Sequence, residues 1–172
     1  IYLLGLTFVA TIQAAGPPLR IATFQVDATP PLGSPLANGT VKPAAEIVTP
    51  LTARGIVLLG AGQPIVLCAF DWVGIANESH DTFRAALAEA VGTSAERVTV
   101  HTLHQHDAPG SDFATERLLV QHGLGGLYSN ADFDRHHAHG GRARRRFHIQ
   151  RHGVETRRQS RGIDNHGDRA SG

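Results

Sequence analysis

The residues best suited to chemistry cluster in one stretch, His101-Thr102-Leu103-His104-Gln105-His106-Asp107-Ala108-Pro109-Gly110. Neutral imidazole is a good zinc donor, and a catalytic zinc needs about three protein ligands with one position left for water. The stretch follows a run with strand character. Residues two apart on a strand face the same way. This spacing predicts that His104 and His106 present two imidazoles together, half of a tetrahedral zinc site, while His101 points to the other face. Asp107 is a candidate to orient a ligating ring from behind. Asp71, Asp27 and Asp112 could each reach the same rim, or could equally be hydrogen-bonded turn carboxylates. His80 and His122 fall on helical stretches and read as surface residues.

The elements that must position this stretch are legible from periodicity and turn chemistry. Alternating apolar residues predict a strand over 19–26. Asp27 to Pro35 holds three prolines and Gly33, so it cannot continue that strand. Strands are expected over 53–59 and 64–72, joined by Gly60-Ala61-Gly62-Gln63 as a hairpin. The second of these is almost continuously apolar and is expected to be covered on both faces, with Cys68 a small core residue. A helix is expected over 77–91, capped by Asn77 or Ser79 and closed by Gly92. Its apolar stripe would be Phe83, Ala86, Leu87, Ala90 and Val91. Thr93 to Glu96 resembles a capping box. A fourth strand over 97–104 and a second helix over 112–121 follow. The order predicts an α/β fold, a mixed β-sheet covered by helices, forming an incomplete domain with a disordered C-terminal tail.

Composition bounds the rest. The chain has 172 residues, 41% hydrophobic, with 19 Gly, 9 Pro, no Met and one Cys. That is the length of one domain, and one cysteine excludes an internal disulfide framework and any multi-cysteine zinc module. The net charge of +1 hides two unlike parts. Residues 1–134 carry 12 Asp/Glu and 6 Lys/Arg, whereas 135–172 carry 3 Asp/Glu, 10 Arg and 6 of the 11 His. Only 7 of the last 38 residues are apolar, without period, too few to offset the entropy of ordering them. A solvated disordered segment, a basic nucleic-acid arm and a histidine-rich metal tract are the readings of this tail. Its abrupt Arg/Gly/His-rich character is also what an out-of-frame reading of a GC-rich gene would give.

At the other end, Tyr2 to Ala10 is apolar but too short to span a bilayer. The small residues Ala14-Ala15-Gly16 that close it match a signal-peptide cleavage region without its basic n-region; a buried strand or helix is the competing reading. The expected organisation is a signal peptide over 1–15, an α/β domain over 19–134 and the tail over 135–172, in a secreted or periplasmic protein. No specific nucleic-acid partner and no transmembrane span are expected.

Four segments, in order, resemble the N-terminal part of the neutral/alkaline, non-lysosomal ceramidase family. Val26-Asp27-Ala28-Thr29-Pro30-Pro31-Leu32-Gly33 resembles its opening "D-I-T-P-P-x-G" segment. Pro50 to Leu58 is similar to its "D-P-L-x-A-R-x-x-V-L" strand, and Pro64 to Trp72 to the buried strand after it. Thr102 to Gly110 resembles its "T-H-T-H-S-G-P-G" zinc motif. The likeness covers roughly residues 20–134, and only the last motif is functionally specific. It implies secreted or membrane-associated zinc amidohydrolases that cleave the N-acyl bond of ceramide. It further implies that His104 is a zinc ligand and that His106 lies near the metal as a second ligand or proton shuttle. Gln105, Asp107 and Ala108 stand where the family has Thr, Ser and Gly, so contacts to a ceramide-like lipid amide would differ. The family's remaining ligands, a second His, a Glu and a Tyr, come from far downstream and match nothing in this chain. The rival reading is a truncated, catalytically incomplete exported α/β domain with no activity of its own.

Overall fold

The computed structural model describes residues 16–138 and 150–152. Strand β1 (Arg20–Asp27) pairs antiparallel with β2 (Thr52–Leu59), and β2 turns back into β3 (Ile65–Phe70) as the expected hairpin. A short strand β4 (Gly74–Ile75) leads into helix α1 (Asn77–Val91), which carries the chain over to β5 (Val98–Thr102), parallel to β3. Beyond β5 come β6 (Gly110–Ser111), parallel to β4, then α2 (Phe113–Gln121) and α3 (Ala131–Ala138). β7 (Gln150–His152) lies antiparallel along β1. The main sheet runs β5-β3-β2-β1-β7. It is a mixed sheet with helices packed on it, as the sequence order requires.

The alternation in β1 and β2 works as a half-buried sheet demands. Ala22 and Phe24, Ala53 and Val57, Val66, Cys68 and Phe70, and Val98 and Val100 all turn to one face. There they meet Phe83, Leu87 and Ala88 of α1, with Phe113 and Ala138 from the later helices. The expectation that β3 is covered on both faces is not met among the described residues. Its burial alternates, leaving Leu67 39% and Ile65 37% exposed. The strand is apolar throughout, but the helices described lie on one side of the sheet only.

The stripe on α1 also shifts: Ala88 is buried and Ala90 exposed, so the inward arc is Ser79, Phe83, Leu87 and Ala88. Neither Asn77 nor Ser79 caps the helix. Asn77 Nδ2 donates to Asp112 Oδ2 at 2.6 Å, and Ser79 Oγ accepts from Phe113 N at 2.9 Å. Both side chains tie α1 to the start of α2 instead. Gly92 ends α1 in the left-handed conformation, as expected.

The centre of the core is aromatic. Trp72, fully buried, lies 5.2 Å from Phe70, 5.8 Å from Phe83 and 6.0 Å from Phe133, centroid to centroid. Its indole Nε1 donates to Ala28 O at 2.9 Å, which satisfies its one polar atom. Burial pushes the Cys68 thiol up to about 12, so it is an inert core group and not a nucleophile.

Residues 1–15, where the signal peptide is expected, lie outside the described residues, as do 139–149 and 153–172 of the expected tail. The boundary expected at Asp134 falls inside α3, which packs through Asp134 and Ala138.

The hairpin rests on a close approach at Gly55. A Cβ there would strike Leu67 O and lie 2.5 Å from Phe24 Cζ. Gly55→Ala is therefore expected to cost about 1–3 kcal/mol of stability through overpacking. Urea unfolding checks this, and an unchanged midpoint would count against the packing described.

Candidate functional site

Strand β5 stops at Thr102, two residues short of the expected end, and His104 sits in a loop with φ of 60°. The period-two argument for His104 and His106 therefore does not hold. The reason lies in the neighbouring chain, which leaves β3 at Phe70 and bends. Leu103 N donates to Phe70 O at 3.1 Å and His104 N to Trp72 O at 3.1 Å. Gln105 Nε2 donates to Asp71 O at 2.7 Å. Backbone carbonyls of 70–72 thus hold residues 103–105 in a loop that no strand could follow. Val73 N donates to Pro109 O at 3.0 Å and closes the far side of that loop.

The two imidazoles meet all the same. Their ring centroids are 5.2 Å apart and the planes stand at 80°. His104 Nδ1 lies 2.8 Å from Val73 O. A carbonyl only accepts, so Nδ1 carries the proton and donates, and Nε2 is left with its lone pair. This backbone contact fixes tautomer and orientation in the way that second partners of metal-bound histidines do. Both rings are exposed.

The remaining candidates separate from this pair. Asp107 is exposed, and the bond that orients His104 comes from a backbone carbonyl instead. His101 lies on the exposed side of β5. Asp71 accepts from Thr52 N and Thr52 Oγ1, both at 2.8 Å, and from Arg54 at 3.0 Å. Burial alone would raise its pKa, but the bonds from Thr52 and Arg54 hold it below the usual carboxylate value. It pins the ends of β2 and β3 together. Asp112 is the cap of α2, accepting from Ala114 N and Thr115 N. Its hydrogen bonds likewise overcome burial and lower its pKa. Asp27 accepts from Thr29 N. His80 Nε2 lies 3.3 Å from Val100 O on α1, and His122 closes α2.

Whether this donor set suits zinc can be judged from its chemistry. A neutral imidazole with an outward Nε2 beside a second imidazole is right in kind. In number it falls short: among the described residues no group of three or more His, Cys, Asp or Glu could hold a metal ion. A cavity of about 660 Å³ lies elsewhere, walled by Ser34, Glu116, Ser129, Asn130 and Arg135 among others, and includes neither imidazole.

Residue patterning missed one group altogether. Asp134 is fully buried, and among the described residues neither carboxylate oxygen has a hydrogen bond of normal geometry, the Ser111 and Ser129 hydroxyls being its polar neighbours. Burial, helped by the Glu116 carboxylate, raises its pKa to about 7, against the pull of the Ser111 and Ser129 hydroxyls and of Arg135. It stands at the border of a segment whose composition reads as solvated tail, and nothing in that composition marks it as buried.

No family model matches this sequence, and no curated protein matches it. Among solved structures the chain is similar to ceramidases. One is the neutral ceramidase from Pseudomonas aeruginosa, at 21% identity and a TM-score of 0.43, covering 52% of this chain and 15% of that one. Another is a ceramidase complexed with C2, at 21% identity and a TM-score of 0.46, covering 69% of this chain and 21% of that one. The chain therefore spans about a fifth or less of the length of these proteins.

The orientation of His104 is directly measurable. Long-range ¹H–¹⁵N spectra of the neutral imidazole are expected to show the proton on Nδ1 and a bare Nε2. A proton on Nε2 would contradict the contact to Val73.

Proposed function

We propose that this chain is a section of a zinc-dependent amidohydrolase-type domain acting on the N-acyl amide bond of ceramide-like lipids. The observation that carries the metal half of this reading is His104. Its backbone amide and its Nδ1 are both spent on carbonyls of Trp72 and Val73, so only Nε2 remains, next to the His106 ring. The lipid half rests on the resemblance of the segment from Thr102 to Gly110 and of the three segments before it. His104 would be a zinc ligand. His106 would be a second ligand or would move a proton to or from the reacting water through its free ring nitrogen. Zinc, when bound, lowers the pKa of its water toward about 7 and polarises a scissile carbonyl. An exported location is part of the same proposal and rests on the apolar stretch of residues 2–10 and the small residues after it. Among the described residues no helix is long and apolar enough to cross a membrane.

A second reading has an observation of its own. Among the described residues two imidazoles are fewer than catalysis requires, so these residues alone would make a catalytically incomplete α/β domain.

The test uses both. The 172-residue chain is expected to bind zinc weakly and to release no fatty acid from a fluorescent ceramide. His104→Ala is expected to weaken zinc binding at least about 10-fold, since even loss of a partner behind a ligand costs that much. In a longer chain that supplies further ligands, ceramide turnover is expected, His104→Ala should abolish metal retention, and His106→Ala should lower turnover more than metal content. Undiminished turnover in the His104→Ala protein would end the zinc-hydrolase reading.

A further inference from the structure

Helix α3 meets the core on one side, through Phe133, Asp134, His137 and Ala138. Phe133 packs on Trp72 at 6.0 Å, and the His137 ring stacks on Phe133 at 4.2 Å. His137 Nδ1 lies 3.1 Å from Phe133 O, and its Nε2 lies 3.2 Å from Asp27 O at the end of β1. Both partners are carbonyls, which only accept. A neutral imidazole has one N–H and can serve one of them, whereas an imidazolium serves both. The next carbonyl along, Ala28 O, takes the Trp72 indole N–H. One turn of chain at the end of β1 therefore anchors both α3 and the central tryptophan. Asp134, on the same helix, is buried with no hydrogen bond of normal geometry to either oxygen among the described residues, the Ser111 and Ser129 hydroxyls being its polar neighbours. Only the neutral acid sits there without the cost of an uncompensated buried charge.

We propose that α3 is a proton-controlled latch: with Asp134 neutral it clamps onto the end of β1 through His137 and onto Trp72 through Phe133, and loss of that proton releases it. The carboxylates nearby are Asp27 at the end of β1, Glu78 on α1, and Asp112 and Glu116 at and in α2, and the Glu116 carboxylate disfavours a second buried charge beside it. Arg117 is engaged by Glu78. Arg135 pairs with Asp132 and lies 5.3 Å over the Phe113 ring, and His136 lies beside His137. Tyr128 is held neutral by burial and by Asp112 and Asp134.

The sign follows from linkage. Asp134 has its folded pKa raised from 3.8 to about 7, so its contribution to docking is complete in acid and is lost as pH rises through that window. Trp72 in turn holds the His104 amide through its carbonyl, which places the latch one residue from the candidate metal loop. The device does not depend on the metal reading.

Hydrogen exchange by mass spectrometry on the full chain, corrected for intrinsic rates, tests this. From pH 5.5 to 8.5 the protection of α3 amides is expected to fall roughly 30-fold, the change that linkage gives for a carboxyl moving between these two values. α1 should keep its protection, and the emission of the single tryptophan should shift to the red. Asp134→Asn, neutral at every pH, should flatten the α3 response. Constant α3 protection in the unaltered protein would overturn the proposal without recourse to a variant. So would loss of α1 protection in step with α3, or an unchanged pH response in Asp134→Asn.

Discussion

Trp72 is the constraint on which the rest depends. It is the largest fully buried side chain of the described residues, and it stands where the chain leaves β3. Its ring joins the sheet (Phe70), α1 (Phe83) and α3 (Phe133). A buried aromatic of this size contributes on the order of 1.5–3 kcal/mol by removal from water alone. Its indole N–H and its carbonyl then fix two separate loops, through Ala28 O and the His104 amide. Packing and loop geometry are thus joined in one residue, and the candidate metal loop takes its conformation from the core and not from β5.

This explains how a histidine with φ of 60° can be held in an exposed loop. A non-glycine residue in the left-handed region costs free energy. Here the amide bond to Trp72 O, the side-chain bond to Val73 O and the neighbouring bond of Gln105 to Asp71 O offset that cost. Three consecutive carbonyls past the end of β3 thus hold a run of two residues. A loop fixed this way can aim one imidazole nitrogen outward, which a free loop would not do.

Much of the fold was legible in the sequence. Period-two patterning marked β1, Gly60 to Gln63 marked the hairpin, and Gly92 marked the end of α1. The contacts that patterning cannot see were missed. Asn77 and Ser79 have the chemistry of caps, yet Asp112 and the Phe113 amide claim them, because α2 returns beside α1. Apolar residues along β3 do not tell which face a helix will cover. The histidine pair was found through its residue types, but the reason offered for it, a shared strand face, was wrong. The pair is made by carbonyls 70–73, which carry no side-chain signature. Asp134 lay hidden in a charged segment for the same reason: burial is a property of what packs against it.

On the proposed reading His104 Nε2 and His106 are the first metal donors, in a chain whose 135–172 segment carries six further histidines. Imidazole ¹H–¹⁵N spectra recorded through a substoichiometric zinc titration test this most directly. The resonances of His104 and His106 are predicted to move first and together. Movement of the 135–172 imidazoles while these two stay in place would contradict the account.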